Sequence, residues 1–293
     1  AAVLVSTLSL FKHIMILIDF SQVILSSLFS QLSKGNEINE DLVRHIFLNS
    51  IRNYRNQFKS KYGEVCLCYD GGNYWRRDVF ENYKMNRKKL RERTDKYDFD
   101  WDEVFQVMGD IRDEIRSVLP YKHVCIRGVE ADDVIARLCH RFHDQEKIVI
   151  ISSDKDFQQL QRYESVDQFS PMTKSFIVCE DPDQFLLEHV IRGDSGDGVP
   201  NCMSDDDCLI NPDKRQKPIT KKRLAQLIES GEYLKQPFYE RNKSMIDLNQ
   251  IPSTINERID TEYDKPIERE MGVMDYFVSK RLDNLLENIQ EFV

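Results

Sequence analysis

Lys147-Ile-Val-Ile-Ile151 runs directly into Ser152-Ser-Asp154-Lys-Asp156-Phe157. A short unbroken run of β-branched residues between polar segments reads as a strand buried on both faces, with Asp154 just past its carboxyl end. The same arrangement occurs twice nearer the N-terminus: Ile14-Met-Ile-Leu-Ile18 ends in Asp19, and Glu64-Val-Cys-Leu-Cys-Tyr69 ends in Asp70. His123 to Ile126 is a further candidate strand. Between these runs lie helical patterns at Asp41 to Phe58, Trp101 to Leu119 and Ala131 to Phe142. Strands alternating with helices predict an α/β fold, a mostly parallel central sheet flanked by helices.

Outward from that frame, apolar runs around Ser170-Pro171 and Thr173-Lys174 predict a hairpin over Val166 to Val178. After about residue 200 the chain turns polar and helix-forming, with periodic stretches at Leu224 to Ile228 and Tyr276 to Ile289. The expected organisation is a loose leader over 1–12, an α/β domain over 13–180 and a smaller helical C-terminal region over 181–293. Ala1 to Ile18 is apolar, but Lys12 and His13 interrupt it and Asp19 ends it. A membrane-spanning helix needs about 20 apolar residues, so a soluble, cytoplasmic protein is expected.

The chain has 293 residues, 41% of them hydrophobic, including 16 Phe and 12 Tyr, enough to build a core. Its 41 Lys and Arg against 50 Asp and Glu give a net charge of −9, which excludes a globally basic nucleic-acid coat but leaves room for a basic groove. Seven cysteines, an odd number with no C-x-x-C pair, point to reduced thiols, and Cys66 and Cys68 alternate as strand residues on one face. Cys139 and His143, with His140 alongside, have zinc-like spacing but no second pair, so ordinary helix packing is expected.

Two basic concentrations stand out. From Arg76 to Arg93, eight basic residues (Arg76, Arg77, Lys84, Arg87, Lys88, Lys89, Arg91, Arg93) face three acids, with Tyr74, Trp75, Phe80 and Tyr83 interleaved. Asp213 to Arg223 holds six basic residues and one acid. Either could be a solvated face, and position relative to the acids decides between the readings.

Asp19, Asp70 and Asp154 share the carboxyl edge of a parallel sheet, where ligands bind in such folds. Glu130-Ala-Asp132-Asp133 opens a helix at the same rim, Asp156 follows Asp154, and Gly193-Asp194-Ser-Gly-Asp197-Gly198 adds two more acids. Each has a structural explanation as a turn or helix cap. Together, nine carboxylates at close range require counter-charge. An all-oxygen set suits hard divalent cations, Mg²⁺ or Mn²⁺. Two such ions about 4 Å apart form a clamp for phosphodiester hydrolysis, one generating hydroxide and both stabilising the transition state. The basic aromatic stretch after Asp70 would then grip a phosphate backbone and stack bases.

Asp19-Phe-Ser, Tyr69-Asp70, Trp75-Arg76-Arg77, Tyr83-Lys84-Met-Asn86-Arg87, Glu130-Ala-Asp132-Asp133, Ser152-Ser-Asp154-Lys-Asp156-Phe157 and Gly193-Asp194-Ser-Gly-Asp197 resemble, in order and spacing, the 5′-nuclease (flap endonuclease) family. Within it the likeness is greatest to the RNase H branch of T-even-like bacteriophages, which lacks the ribonuclease-H fold. It covers residues 14–200 and continues weakly beyond. It implies a PIN/5′-nuclease-like fold and a Mg²⁺-dependent 5′→3′ exonuclease and flap endonuclease that removes RNA primers and adjoining DNA during replication. Carried over by motif, Asp19, Asp70, Glu130, Asp132, Asp133 and Asp154 would form one metal site, and Asp156, Asp194 and Asp197, with Asp154 nearby, the second. Residues 71–100 would be an arch over a single-stranded 5′ end. Lys84 and Arg87 would touch the scissile phosphate, catalytic alongside Asp154 and Asp156, while Arg76 or Arg77, Tyr83 and Lys88 would assist in holding nucleic acid.

One departure from the family pattern concerns duplex binding. Many members follow the Gly-Asp-x-x-Asp loop with a glycine-rich helix–hairpin–helix, often holding K⁺. Val199 to Cys208 contains no Gly-x-Gly, and an apparent insertion runs to Pro218. That argues against K⁺ binding and leaves duplex contact to Lys221, Lys222 and Arg223, with a second helix restarting at Thr220. The resemblance also suggests a monomer acting in a host cytoplasm on branched or nicked DNA and RNA–DNA duplex, and contacts with a single-strand-binding protein and a sliding clamp. A PIN-like single-strand RNA endonuclease would share the acidic rim, but the long basic arch and the chain beyond residue 180 argue against it. A catalytically decayed structure-specific DNA-binding protein would be expected to have lost rim acids, and none is missing. A phosphatase of small metabolites would have no use for the arch.

Overall fold

Runs of three to six residues, the most apolar of them central, become the strands of one sheet. The computed structural model describes residues 14–32, 39–87 and 101–293. The expected leader, Lys88 and the remainder of the expected arch lie outside the described residues. The strands are β1 (Ile14–Asp19), β2 (Glu64–Tyr69), β3 (Lys122–Cys125), β4 (Ile148–Ile151), β5 (Val166–Ser170) and β6 (Ser175–Ile177). They are ordered β3-β2-β1-β4-β5-β6, all parallel except the β5–β6 hairpin, as expected. The chain winds outward from β1 through β2 to β3, then returns to lay β4 on the other side of β1. That reversal makes the carboxyl ends of β1 and β4 the switch point, where the loops diverge and leave a crevice.

The helices cover both faces: α1 (Phe20–Leu32), α2 (Glu40–Tyr62), the one-turn α3 (Arg76–Val79), α4 (Trp101–Arg116) and α5 (Ala131–Phe142). Helix α1 is not evident from sequence periodicity, because apolar residues and serines are mixed around its circumference and no charge marks a solvent face. Ile16, Leu17, Ile18, Val65, Leu67 and the whole of β4 are buried in the central core. All seven cysteines are free thiols. Cys139 lies in the core and His143 stacks on Tyr163 at 3.9 Å, so that pair is packing, as expected.

Beyond the hairpin come α6 (Pro182–Arg192), α7 (Lys221–Ser230) and α8 (Tyr239–Ile246), then α9 (Ser253–Asp264), α10 (Val273–Ser279) and the short α11 (Asp283–Leu286). The periodic stretch Tyr276 to Ile289 is interrupted at Arg281, where φ is 55°. The C-terminal residues serve two cores. Leu248, Ile255, Ile259, Tyr276 and Phe277 join the central core, whereas Val190, Ile191, Leu224, Leu227 and Met245 form a second one with Phe80 and Tyr83. The base of the expected arch is therefore built into the core of the α6–α8 unit. Among the described residues, no helix is long and apolar enough to cross a membrane.

Candidate metal centre

Three strand ends and one helix start converge on the switch point. Asp19 closes β1, Asp154 follows β4, Asp70 follows β2, and Asp132 lies in the first turn of α5. Asp19 is held by Ser152, whose hydroxyl donates to Oδ2 at 2.9 Å and also accepts from the Asp154 N–H at 3.1 Å. Asp154 then caps the 3₁₀ helix Lys155–Arg162 by accepting from the Asp156 N–H at 3.0 Å. Asp70 Oδ1 accepts from the Ala131 N–H, tying β2 to the start of α5. Gly71 makes that approach possible: a Cβ there would lie 1.8 Å from the Ile126 carbonyl oxygen.

These carboxylates oppose one another. Burial, then the facing Asp70 and Asp154, push Asp19 up to about 7 from an ordinary 3.8. Burial and the neighbouring Asp156 raise Asp154 to about 6. Asp132 is raised well above the usual range by burial and by Asp154, with Lys84 offsetting only part of this. A cluster of oxygen donors that cannot ionise fully by itself is the environment a divalent cation relieves.

A second group of acids is already neutralised. Glu130 and Asp133 are fully buried. The guanidinium of Arg76, itself buried, reaches Glu130 at 2.6 Å and Asp133 at 2.8 Å and donates to the Met245 carbonyl at 3.0 Å. Trp75 Nε1 donates to Asp133 at 2.9 Å, and Asp133 also accepts from the Glu130 N–H. Asp133, expected among the metal ligands, instead points into the interior, because it lies one residue and about 100° around the helix from Asp132. Arg76, expected to touch nucleic acid, is the counter-ion of this pair. Tyr83 is likewise buried, its hydroxyl 3.0–3.1 Å from Glu130 and Asp197. Lys84 pairs with Glu130 and lies 3.6 Å from Asp197, and Arg87 pairs with Asp197. Burial works against the Lys84 charge, but Glu130 and Asp197 more than offset it, so the ammonium stays protonated. Burial would raise Asp197, yet Lys84 and Arg87 hold it below the usual carboxylate range.

The third group extends the cluster sideways. Asp156 Oδ1 lies 2.8 Å from His189 Nε2, and the same nitrogen lies 3.6 Å from Asp194 Oδ2. Lys155 Nζ is 3.1 Å from Asp194. Asp194 Oδ1 also accepts from the Gly196 and Asp197 N–H groups, which shapes the acidic loop. Sequence reasoning missed His189. Its only signal is a histidine on the last turn of a helix that runs into the Gly-Asp-x-x-Asp loop, and the pattern of acids hides it.

Of the expected nucleic-acid contacts outside the cluster, Arg77 is exposed beside Tyr74, 5.9 Å from the ring centre. Lys221 and Lys222 are exposed in the first turn of α7, which Thr220 caps by accepting from the Arg223 N–H at 3.2 Å. The helix thus restarts at Thr220 as expected. Arg223 is half-buried, with Glu232 3.7 Å away. The segment before α7 is organised by Asn201, which bonds Gln216, Lys217, Met203 and Ser204.

An acidic crevice at the switch point of a parallel sheet, rimmed by fixed cations, is chemically suited to phosphate esters. Residues 14–186 match the 5′-3′ exonuclease N-terminal resolvase-like domain. The chain belongs to the 5′-3′ exonuclease family. Residues 181–292 of this exonuclease-family chain match the C-terminal domain of T4 RNase H. Ribonuclease H of Enterobacteria phage T4 is 32% identical over 96% of this chain and 97% of its own. Flap endonuclease Xni of Shewanella piezotolerans is 29% identical over 46% of this chain and 52% of its own. Among solved structures, the bacteriophage T5 flap endonuclease in a pseudo-enzyme-product complex with DNA and metal ions has a TM-score of 0.63 at 18% identity, covering 92% of this chain and all of that one. The T5 5′-exonuclease with bound zinc has a TM-score of 0.60 at 19% identity, over 86% of this chain and 97% of that one. These two likenesses concern the fold. As a member of this exonuclease family the protein is a nuclease, a phosphodiesterase.

Proposed function

We propose that this protein is a divalent-cation-dependent 5′→3′ exonuclease and flap endonuclease that removes RNA primers and the adjoining DNA during replication. The observation that carries this reading is the set of opposed carboxylates Asp19, Asp132 and Asp154 at the switch point, which lack enough counter-charge of their own. Asp19, Asp70, Asp132 and Asp154 would hold one cation, and Asp156 and Asp194 a second. Mg²⁺ is the expected ion, with Mn²⁺ able to replace it. Such cations, when bound, supply Lewis acidity to the hydrolysis of a phosphodiester by water.

The chain's own residues position the substrate. Lys84 and Arg87 are permanent charges at the edge of the acidic crevice, suited to neutralise a scissile phosphate as negative charge builds up. Each is held by a carboxylate until a phosphate displaces it, so neither needs to reorganise from solvent. Arg76 and Tyr83 act indirectly, by fixing Glu130 in place. Lys221 and Lys222 provide a positive edge for duplex backbone, which suits a branched or nicked DNA substrate. The protein is read as a monomer in the host cytoplasm, with single-strand-binding protein and sliding clamp as partners.

The test uses a branched DNA with a labelled 5′ flap and a matched single strand, with Mg²⁺ or with EDTA. Mg²⁺-dependent cutting near the junction is expected. Cutting of the single strand alone would instead favour a PIN-like endonuclease, and binding without cutting would overturn the reading.

A further inference from the structure

The motif that defines the second cation site contains only acids, yet the structure adds an imidazole. His189 lies on α6, is 7% exposed, and packs its ring 5.7 Å from Phe185 one turn earlier. Its Nε2 faces Asp156 Oδ1 at 2.8 Å and Asp194 Oδ2 at 3.6 Å, and a single ligand atom from each of these three residues falls within 4.8 Å of the others. A bare imidazole lone pair opposite a carboxylate lone pair is repulsive, so a proton or a metal ion must lie between them. One proton on Nε2 satisfies only one of the two carboxylates. The other, Asp194, has its Oδ1 occupied by the Gly196 and Asp197 N–H groups and its Oδ2 left to Lys155, an exposed side chain 3.1 Å away. A cation seated among the three ligand atoms satisfies all of them together.

Resting on the metal-centre reading above, we propose that His189 is a protein ligand of the second cation, which makes that site a mixed imidazole–carboxylate site selective for Mn²⁺ or Zn²⁺ over Mg²⁺. Imidazole nitrogen is a borderline donor that strengthens binding of the later first-row ions and adds little for Mg²⁺, which prefers oxygen. The first site, built from Asp19, Asp70, Asp132 and Asp154, offers only oxygen and carries no such preference. The two sites therefore differ in selectivity, and Mn²⁺ or Zn²⁺ fills the second site at concentrations where Mg²⁺ does not. Lys155 then becomes free to move from Asp194 to a substrate phosphate.

Two measurements on the full chain test this. In the ¹⁵N-histidine-labelled wild-type protein, Zn²⁺ should shift the ring-nitrogen resonances of His189 to those of a metal-bound Nε2, with His189→Asn identifying the signal among the six histidines. In calorimetric titrations, His189→Asn should weaken one Mn²⁺ by about tenfold or more while changing Mg²⁺ affinity much less. Equal weakening of both ions, or a His189 resonance that Zn²⁺ leaves unmoved, overturns the ligand role and leaves His189 as a clamp on Asp156. A wild-type protein that takes up no divalent cation overturns the metal-centre reading itself. Through-bond assignment of the wild-type spectrum also identifies the His189 ring signal, so misfolding of His189→Asn does not protect the proposal.

Discussion

The Lys84 N–H donates to the carbonyl oxygen of Asp197 at 2.7 Å, with Lys84 in the left-handed region at φ 59°. Around that bond two distant motifs interlock. Tyr83 reaches Asp197 across 114 residues, Asn86 Nδ2 donates to the Ser195 carbonyl at 2.6 Å, and Arg87 pairs with the Asp197 carboxylate. The Tyr-Lys-x-Asn-Arg segment therefore clasps the Gly-Asp-Ser-Gly-Asp loop, so the cations of the one are held against the acids of the other.

Gly198→Ala tests the clasp. Gly198 has φ +76°, and a Cβ there would meet the Asn82 carbonyl and the Asn86 Oδ1 at 3.1 Å and the Lys84 N at 3.4 Å. The variant is expected to lose about 1–2 kcal/mol of stability from the left-handed backbone, and more than that in cleavage as Lys84 shifts. Denaturant melts and single-turnover cleavage separate the two, and unchanged cleavage would show that Lys84 is not positioned by this loop.

Arg76→Met leaves Glu130 and Asp133 buried without their guanidinium. Breaking a buried pair from one side costs roughly 3–5 kcal/mol, so a large fall in Tm is expected. If Tm holds and only DNA affinity falls, Arg76 contacts substrate and the buried-pair assignment is wrong.

Asp154→Asn removes a carboxylate that both faces Asp19 and caps the 3₁₀ helix, while an amide oxygen keeps the cap. Cleavage of a flap substrate is expected to drop at least roughly a hundredfold with DNA affinity little changed. Full activity in this variant would remove Asp154 from the metal centre.

The pH dependence follows from the raised acids. Asp19 at about 7 and Asp154 at about 6 bind protons in the folded chain that the unfolded chain, near 3.8, has released. Between those values the folded state holds more protons, so these two groups make the metal-free protein less stable as pH rises from about 4 to 7. Cations compete with the same protons, so the rise in Tm on adding Mg²⁺ should grow over that window. Thermal melts with Mg²⁺ and with EDTA across pH check this. A Mg²⁺ effect independent of pH would place the cation elsewhere.

Lys221→Glu should weaken binding of nicked duplex uniformly across sequences and reduce the salt slope of log K by about one or more. Fluorescence anisotropy at several salt concentrations measures it. An unchanged slope would take α7 off the duplex path.

The sequence by itself determined the sheet and its acidic rim. Short, β-branched-rich apolar runs ending in Asp19, Asp70 and before Asp154, alternating with helical patterns, suit interior parallel strands, and the end of such a strand is where a carboxylate is left at the rim. Helix α5 was equally legible, because Glu130-Ala-Asp132-Asp133 precedes an apolar face with helical spacing. Helix α1 was not, since its apolar residues and serines are mixed around the circumference and no charge marks a solvent face. Only the tertiary structure decided which acids are free for a cation. Asp132 and Asp133 are adjacent in sequence, but helix rotation sends one to the crevice and the other to Arg76. Whether a charge is spent or available depends on what lies across from it, and for Arg76, Lys84, Tyr83 and His189 those partners come from distant parts of the chain.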